Sequence, residues 1–199
     1  MNYKPLVKVK NLEFSYDPFK MPPSLCQIDC IIDPGSRVLL VGSNGVGKST
    51  LLRDLSGSHL FSGMSYDEFL VLNNEKPMDQ YNGIAYLGEE WLWKRSGFKG
   101  MEPFSMDIAA RDMMKQWQQE HIERRDELVK ILGINLDWRM HRVSDGLRKK
   151  VRIMLKLLRP FRLCFIDEFA SELDIYSRKR LMEYLTCECL KRKASICLL

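Results

Sequence analysis

A chain of 199 residues, 45% hydrophobic and 29% charged, has room for one α/β domain with a real core and a small inserted subdomain. No apolar run approaches the length that crosses a bilayer, and the opening Met1-Asn2-Tyr3-Lys4-Pro5 is not a signal peptide. The chain is therefore expected in the cytosol or nucleus, and any membrane span in its system would belong to another subunit. The net charge of +5 is concentrated in Arg148-Lys149-Lys150, Arg178-Lys179-Arg180 and Lys191-Arg192-Lys193, each read as an exposed helix face before a nucleic-acid surface.

Residues 6–16 alternate as a strand, with Val7 and Val9 opposed to Lys8 and Lys10, and end in Phe14-Ser15-Tyr16. Residues 25–32 alternate again before the turn Asp33-Pro34-Gly35-Ser36. Two such strands predict a small antiparallel sheet beside a main parallel one. The Tyr16 ring offers either ordinary packing or a flat face for a base to stack on.

The apolar run Val38-Leu39-Leu40-Val41 predicts a buried strand and Leu51 to Ser56 a helix. Between them stands Gly42-Ser43-Asn44-Gly45-Val46-Gly47-Lys48-Ser49-Thr50, which carries the G-x-x-x-x-G-K-[ST] pattern of a phosphate-binding loop. Its glycines allow a tight turn that points backbone N–H groups at phosphate oxygens. Lys48 supplies a charge for the β and γ phosphates, the Ser49 hydroxyl is a Mg²⁺ ligand, and the helix start adds its positive end. A nucleoside triphosphate is the expected ligand.

Glu68–Leu72 and Ile84–Leu87 read as further short strands, and 91–100 as a connecting loop. From Ser105 the residues Ile108, Met113, Met114 and Trp117 keep helical spacing, and a second helix runs to Leu132 with Gly133 as its stop. Ser144-Asp145-Gly146 opens a helix through Leu158, where a hydroxyl and free N–H groups cap the helix or bind an anion. Leu163-Cys164-Phe165-Ile166 is a buried strand delivering Asp167 and Glu168 at its C-terminal end, the edge where ligands sit in open parallel sheets. Ser171-Glu172-Leu173-Asp174, a basic helix to about Arg192 and a strand from Ala194 complete the chain. The six cysteines lack the spacing of a zinc site and read as reduced, small buried hydrophobes in strand patterns.

The order of these motifs resembles that of an ATP-binding cassette (ABC) ATPase, along essentially the whole chain. Tyr86-Leu87-Gly88-Glu89-Glu90-Trp91 and Trp138 to Gly146 narrow the resemblance to a eukaryotic subgroup without transmembrane spans, which includes a factor associated with the deadenylase and Not complex. The resemblance implies a P-loop NTPase fold: a mainly parallel sheet, an N-terminal antiparallel β subdomain and an inserted helical subdomain. It implies a single ABC domain over 1–199, with 1–90 and 160–199 as core and about 91–159 as the helical insert.

It further implies ATP and Mg²⁺ as ligands. Lys48 and the loop amides would hold phosphates, Ser49 and Asp167 would organise Mg²⁺, and Tyr16 would stack on adenine. Glu168 would act as a general base or water-orienting group. Two cassettes would pair head to tail, Ser144-Asp145-Gly146 of one closing over the γ phosphate held by the other. Asp174 would lie at that contact or cap the following helix.

The sequence departs from the family pattern at four places. Glu89 stands where a glutamine usually senses Mg²⁺ and the attacking water, Asp145 replaces the first signature glycine, and Leu147 replaces a polar residue. The chain reaches Leu199 before the position of the usual γ-phosphate histidine, and His59, His121 and His141 lie too early to replace it. The strands that usually follow are absent too, which predicts an unpaired sheet edge. Three functions follow: an ATPase regulating a partner complex, the motor subunit of a membrane transporter, or a nucleotide-binding module with little turnover.

Overall fold

The computed structural model describes residues 4–17, 23–57, 63–72, 83–88, 107–114, 120–167 and 173–199. They fall into two compact units, one within Met1–Tyr86, Phe161–Glu168 and Cys187–Leu199, the other within Leu87–Pro160 and Phe169–Thr186.

In the first unit, β1 (Val7–Phe14) pairs antiparallel with β2 (Leu25–Ile32), in a register running from Val7↔Ile32 to Phe14↔Leu25. On its other side β1 pairs antiparallel with β4 (Met64–Ser65) and β5 (Glu68–Val71). The alternation predicted for β1 holds: Val7, Val9, Leu12 and Phe14 are buried, while Lys8 points outward and donates to Glu68 at 2.8 Å.

A second sheet has the order β3-β8-β7-β6, formed by Arg37–Leu39, Ser195–Leu198, Leu163–Ile166 and Ile84–Leu87. Both β3 and β7 run parallel to β8, which lies between them. Every residue of β7 is buried, as its unbroken apolar run requires of a strand covered on both faces. Helix α1 (Lys48–Leu55) adds Leu51, Leu52 and Leu55 to a core shared with Phe14, Leu25, Phe69, Tyr86 and Phe165. Burying each such side chain contributes about 1.5–3 kcal/mol. That core holds the phosphate loop at the junction of β3 and α1.

One expectation is corrected here. The run Val38–Val41 is not a buried strand throughout: β3 ends at Leu39, and Leu39 and Val41 are 63% and 79% exposed. Among the described residues, β3 ends the sheet order with β8 as its hydrogen-bonded neighbour, so its far edge has no ladder.

In the second unit, α2 (Ile122–Leu132) packs against α3 (Asp145–Leu157). The buried Arg124 donates through Nε to the Leu157 carbonyl at 2.6 Å, satisfying one of the acceptors a helix end leaves over. Helix α2 stops at Gly133 as predicted, in the left-handed conformation at φ +62° that suits glycine. The helix expected from Ser105 is different. Within 107–114 the chain forms a bridge between Ala109 and Arg139 and a short 3₁₀ turn at Asp112–Met114. Ala110 and Arg111 donate to the carbonyls of Trp138 and Leu136, partners that replace those of an α-helix. Ser105 and Trp117 lie outside the described residues.

The cluster Arg148-Lys149-Lys150 is not a solvated face. Lys149 is only 6% exposed, Arg148 donates to the Met140 carbonyl, and Lys150 pairs with Asp174 at 2.8 Å. Cys164 and Cys197 are buried in strands as expected, and Cys189 is buried on helix α4 (Ile175–Arg192), the basic helix expected to about Arg192; Cys26 is exposed, against expectation. No helix among the described residues is long and apolar enough to cross a membrane.

Candidate nucleotide-binding site

The loop from β3 to α1 turns on two left-handed glycines, Gly45 at φ +80° and Gly47 at φ +98°. Gly47 is also the N-cap of α1, and a Cβ there would stand 2.7 Å from Leu25 Cδ2 and 2.9 Å from the Ser24 carbonyl oxygen. Neither its conformation nor its surroundings accept a side chain. Gly42, Ser43, Asn44, Gly45 and Val46 are exposed. The Lys48 ammonium donates to the carbonyls of Gly42 and Ser43, each at 2.9 Å, and so lies over the loop.

Ser49 occupies the second position of α1, and its hydroxyl donates to Asp167 Oδ1 at 2.7 Å. Asp167 follows β7 directly and is 5% exposed. Its other oxygen, Oδ2, accepts from the Tyr86 hydroxyl at 2.7 Å, and Arg53 Nε donates to that hydroxyl at 3.3 Å. Burial, followed by the hydrogen bond to Asp167, holds the Tyr86 phenol well above its usual range. It therefore remains a proton donor at any working pH.

The fold thus draws the loop lysine, a hydroxyl and a carboxylate to one end of the parallel sheet. Ser49 and Asp167 are hard oxygen donors already within hydrogen-bond reach, a donor type that suits Mg²⁺.

Tyr16, next to the end of β1, stands edge-on to Phe14 with ring centroids 4.9 Å apart. Its hydroxyl lies 3.1 Å from Thr50 Oγ1, on the first turn of α1. The exposed ring is therefore tethered beside the phosphate loop. Glu89 and Glu168 lie outside the described residues.

In the second unit Ser144 is the N-cap of α3, with its side chain making no capping hydrogen bond. The exposed Asp145 pairs with Arg148 at 3.0 Å. Asp174 takes up the second of its two expected roles: Oδ1 accepts from the Ser177 N–H and Oδ2 from the Ser177 hydroxyl, each at 2.8 Å, in the first turn of α4. Lys150, and after it these Ser177 bonds, hold the Asp174 carboxyl well below the usual carboxylate range.

Sequence reasoning assigned no role to Tyr86 or Arg53. The available signal was a phenol in the otherwise apolar Ile84-Ala85-Tyr86-Leu87, since a buried hydroxyl needs a partner.

A parallel sheet with a glycine-rich loop opening a helix, and a buried aspartate at the end of a neighbouring strand, defines a P-loop nucleotide-binding domain. The ABC transporter family model matches residues 25–171, and the chain belongs to that family. It is 36% identical over 192 residues to ABC transporter I family member 21 of Arabidopsis thaliana, covering 96% of this chain and 67% of that relative. It is 34% identical over 204 residues to CCR4-associated factor 16 of Saccharomyces cerevisiae, covering 96% of this chain and 68% of that relative. For the Arabidopsis thaliana family member 20, at 35% identity, the share of the relative is 60%.

Solved structures agree on the fold. The ATP-binding subunit of an ABC transporter superposes with a TM-score of 0.72 at 20% identity, covering 97% of this chain and 78% of that one. The protein cbiO1 of Clostridium perfringens, part of the transporter complex cbiONQ, gives 0.63 at 22% identity, covering 98% and 77%. The chain is an ABC nucleotide-binding domain.

Proposed function

We propose that this domain binds ATP with Mg²⁺ and hydrolyses it, using the cycle to close and reopen a cassette dimer that regulates a partner complex of the transcription or mRNA-decay type. The observation that carries the reading is the 2.7 Å bond between Ser49 and Asp167, which brings the helix behind the phosphate loop and the carboxylate after β7 to one point.

Lys48 would exchange the carbonyls of Gly42 and Ser43 for β and γ phosphate oxygens, a charge-assisted contact in place of two neutral ones. Ser49 and Asp167 would hold Mg²⁺, with Glu89 as a further oxygen donor near it. Mg²⁺, when bound, neutralises charge on the β and γ phosphates. Tyr16 would stack on adenine, its tilt set by Phe14 and Thr50. Glu168 would orient the attacking water and accept its proton as the water oxygen bonds to the γ phosphorus and the bond to the ADP oxygen breaks.

Ser144, Asp145 and Gly146 of a second cassette would meet the γ phosphate. The name CCR4-associated factor 16 supports a regulatory partner in place of a transport substrate. A cytoplasmic location fits that reading.

The test is ATP hydrolysis by the chain beside Lys48→Ala and Glu168→Gln, with nucleotide binding measured in parallel. Turnover that both substitutions abolish supports the proposal. Binding that needs Lys48 without any turnover replaces it with the nucleotide-binding module, the reading that Glu89 and Leu147 favour. Co-purification with a membrane-spanning protein would make the domain a transport motor.

A further inference from the structure

The Asp167 carboxylate has two oxygens, and the structure engages them differently. Oδ1 accepts from Ser49, and Oδ2 accepts from Tyr86. An aspartate side chain turns easily about its last torsion, so a carboxylate held at one oxygen alone can swing the other away. The direction of the proton chain follows from donor and acceptor chemistry. A guanidinium only donates, so the Tyr86 oxygen must accept from Arg53. Its single proton is then free to go to Asp167. Tyr86 itself is fixed because its ring belongs to the buried core that also contains Phe165, Leu51 and Leu52.

We propose that Tyr86, oriented by Arg53, is a positioning residue that pins Oδ2 of Asp167 so that Oδ1 stays presented beside Ser49 for the metal of the nucleotide complex. The inference rests on the nucleotide and Mg²⁺ reading above, and adds a role that neither the phosphate loop nor the Asp-Glu pair supplies. A serine hydroxyl has one proton and two lone pairs, so Ser49 could offer a lone pair to a metal while still donating to Oδ1. Tyr86 would then hold the second oxygen, and the two bonds together would fix the carboxylate. Partners of this kind, one bond removed from a metal, typically alter metal affinity about 10–100-fold when deleted.

The experiment measures Mn²⁺ affinity by electron paramagnetic resonance in the presence of saturating ATP, for the wild-type chain, Tyr86→Phe and Arg53→Gln. ATP affinity in EDTA and the melting temperature without nucleotide accompany it. Phenylalanine keeps the buried ring and removes only the hydroxyl. The expected result is a Mn²⁺ dissociation constant raised about tenfold in Tyr86→Phe. Arg53→Gln should give a smaller rise, with EDTA-phase ATP affinity within about twofold of wild type in both. Should Tyr86→Phe fail to fold, Arg53→Gln tests the same chain of bonds without disturbing the ring.

Unchanged Mn²⁺ affinity in folded variants whose wild type binds Mn²⁺ with ATP would overturn the positioning role and leave the proposed function standing. A wild-type chain that binds ATP equally with and without metal would overturn the Mg²⁺ reading itself, and this inference with it.

Discussion

The phosphate loop and the start of α3 are both glycine-containing helix openings, and the structure treats them in opposite ways. Around the loop the polar groups are engaged within their own unit: Lys48 on loop carbonyls, Ser49 on Asp167, Asp167 on Tyr86. At α3 the Ser144 hydroxyl caps nothing, and the Asp145 side chain is 93% exposed. Gly47 has a left-handed backbone and no room for a Cβ, whereas Gly146 is helical and a Cβ there would meet nothing within 4 Å among the described residues. One glycine is explained by its own chain. For the other, the described residues show no such constraint.

Substitutions sharpen this contrast. The largest effect is expected from Lys48→Ala, which removes the charge that would leave the loop carbonyls for phosphate. Charge-assisted bonds contribute about 1.5–3 kcal/mol each, so ATP affinity should fall by roughly 100-fold or more, read by calorimetry or a fluorescent nucleotide. An affinity within about threefold of wild type would mean that the loop binds through its amides alone.

Gly47→Ala comes next. A left-handed alanine costs about 1–2 kcal/mol, and the approach to the Ser24 carbonyl adds to it. A melting temperature lower by about 5–10 °C is expected for a domain of this size. An unchanged melting temperature would show that the loop relaxes around the methyl group.

Gly146→Ala should do the reverse to the fold. Glycine in a helix costs up to about 1 kcal/mol relative to alanine, so the variant should melt at the same temperature or slightly higher. Its ATP-dependent self-association, followed by light scattering, should nevertheless weaken. Normal association would remove the reason for reading α3 as half of a shared site.

The legible part of this molecule was that whose chemistry is local. The phosphate loop, β1 with its alternating lysines, β7 with its buried aspartate and the Gly133 stop all follow from neighbouring residues. What the sequence withheld depends on partners distant along the chain. An apolar run such as Val38–Val41 predicts a strand but not whether both edges are covered, and β3 proves to be an edge among the described residues. Met113 and Met114 have helical spacing, yet backbone bonds to 136 and 138 override it. Lys149 looked like surface charge because nothing nearby in sequence shows that it is buried. Tyr86 was invisible as a site residue because its partner lies 81 residues away.

The smallest effect is expected at Asp174, and it tests whether the start of α4 belongs with the self-contained loop or with the open end of α3. Both carboxylate oxygens are used within the chain, by Ser177 and Lys150, which argues for the former. Asp174→Asn keeps an acceptor for the Ser177 N–H, but loses the charge and puts an NH2 donor in place of Oδ2, the oxygen that faces the Ser177 hydroxyl and Lys150. With the carboxylate half-exposed and screened, the cost at pH 7 should stay below about 1 kcal/mol, a shift of roughly 1–3 °C. The folded carboxyl is depressed relative to the unfolded one, so its stabilisation is complete above the unfolded value of about 3.9. It is lost as pH falls below that value toward the folded one. The gap between wild type and Asp174→Asn should therefore hold from pH 7 to about pH 4 and narrow below it, and shrink in high salt. A gap that persists undiminished at pH 3 would assign the loss to geometry and not to charge. A gap absent at pH 7, with ATP-dependent association impaired, would move Asp174 from the self-contained group to the same open surface as Ser144.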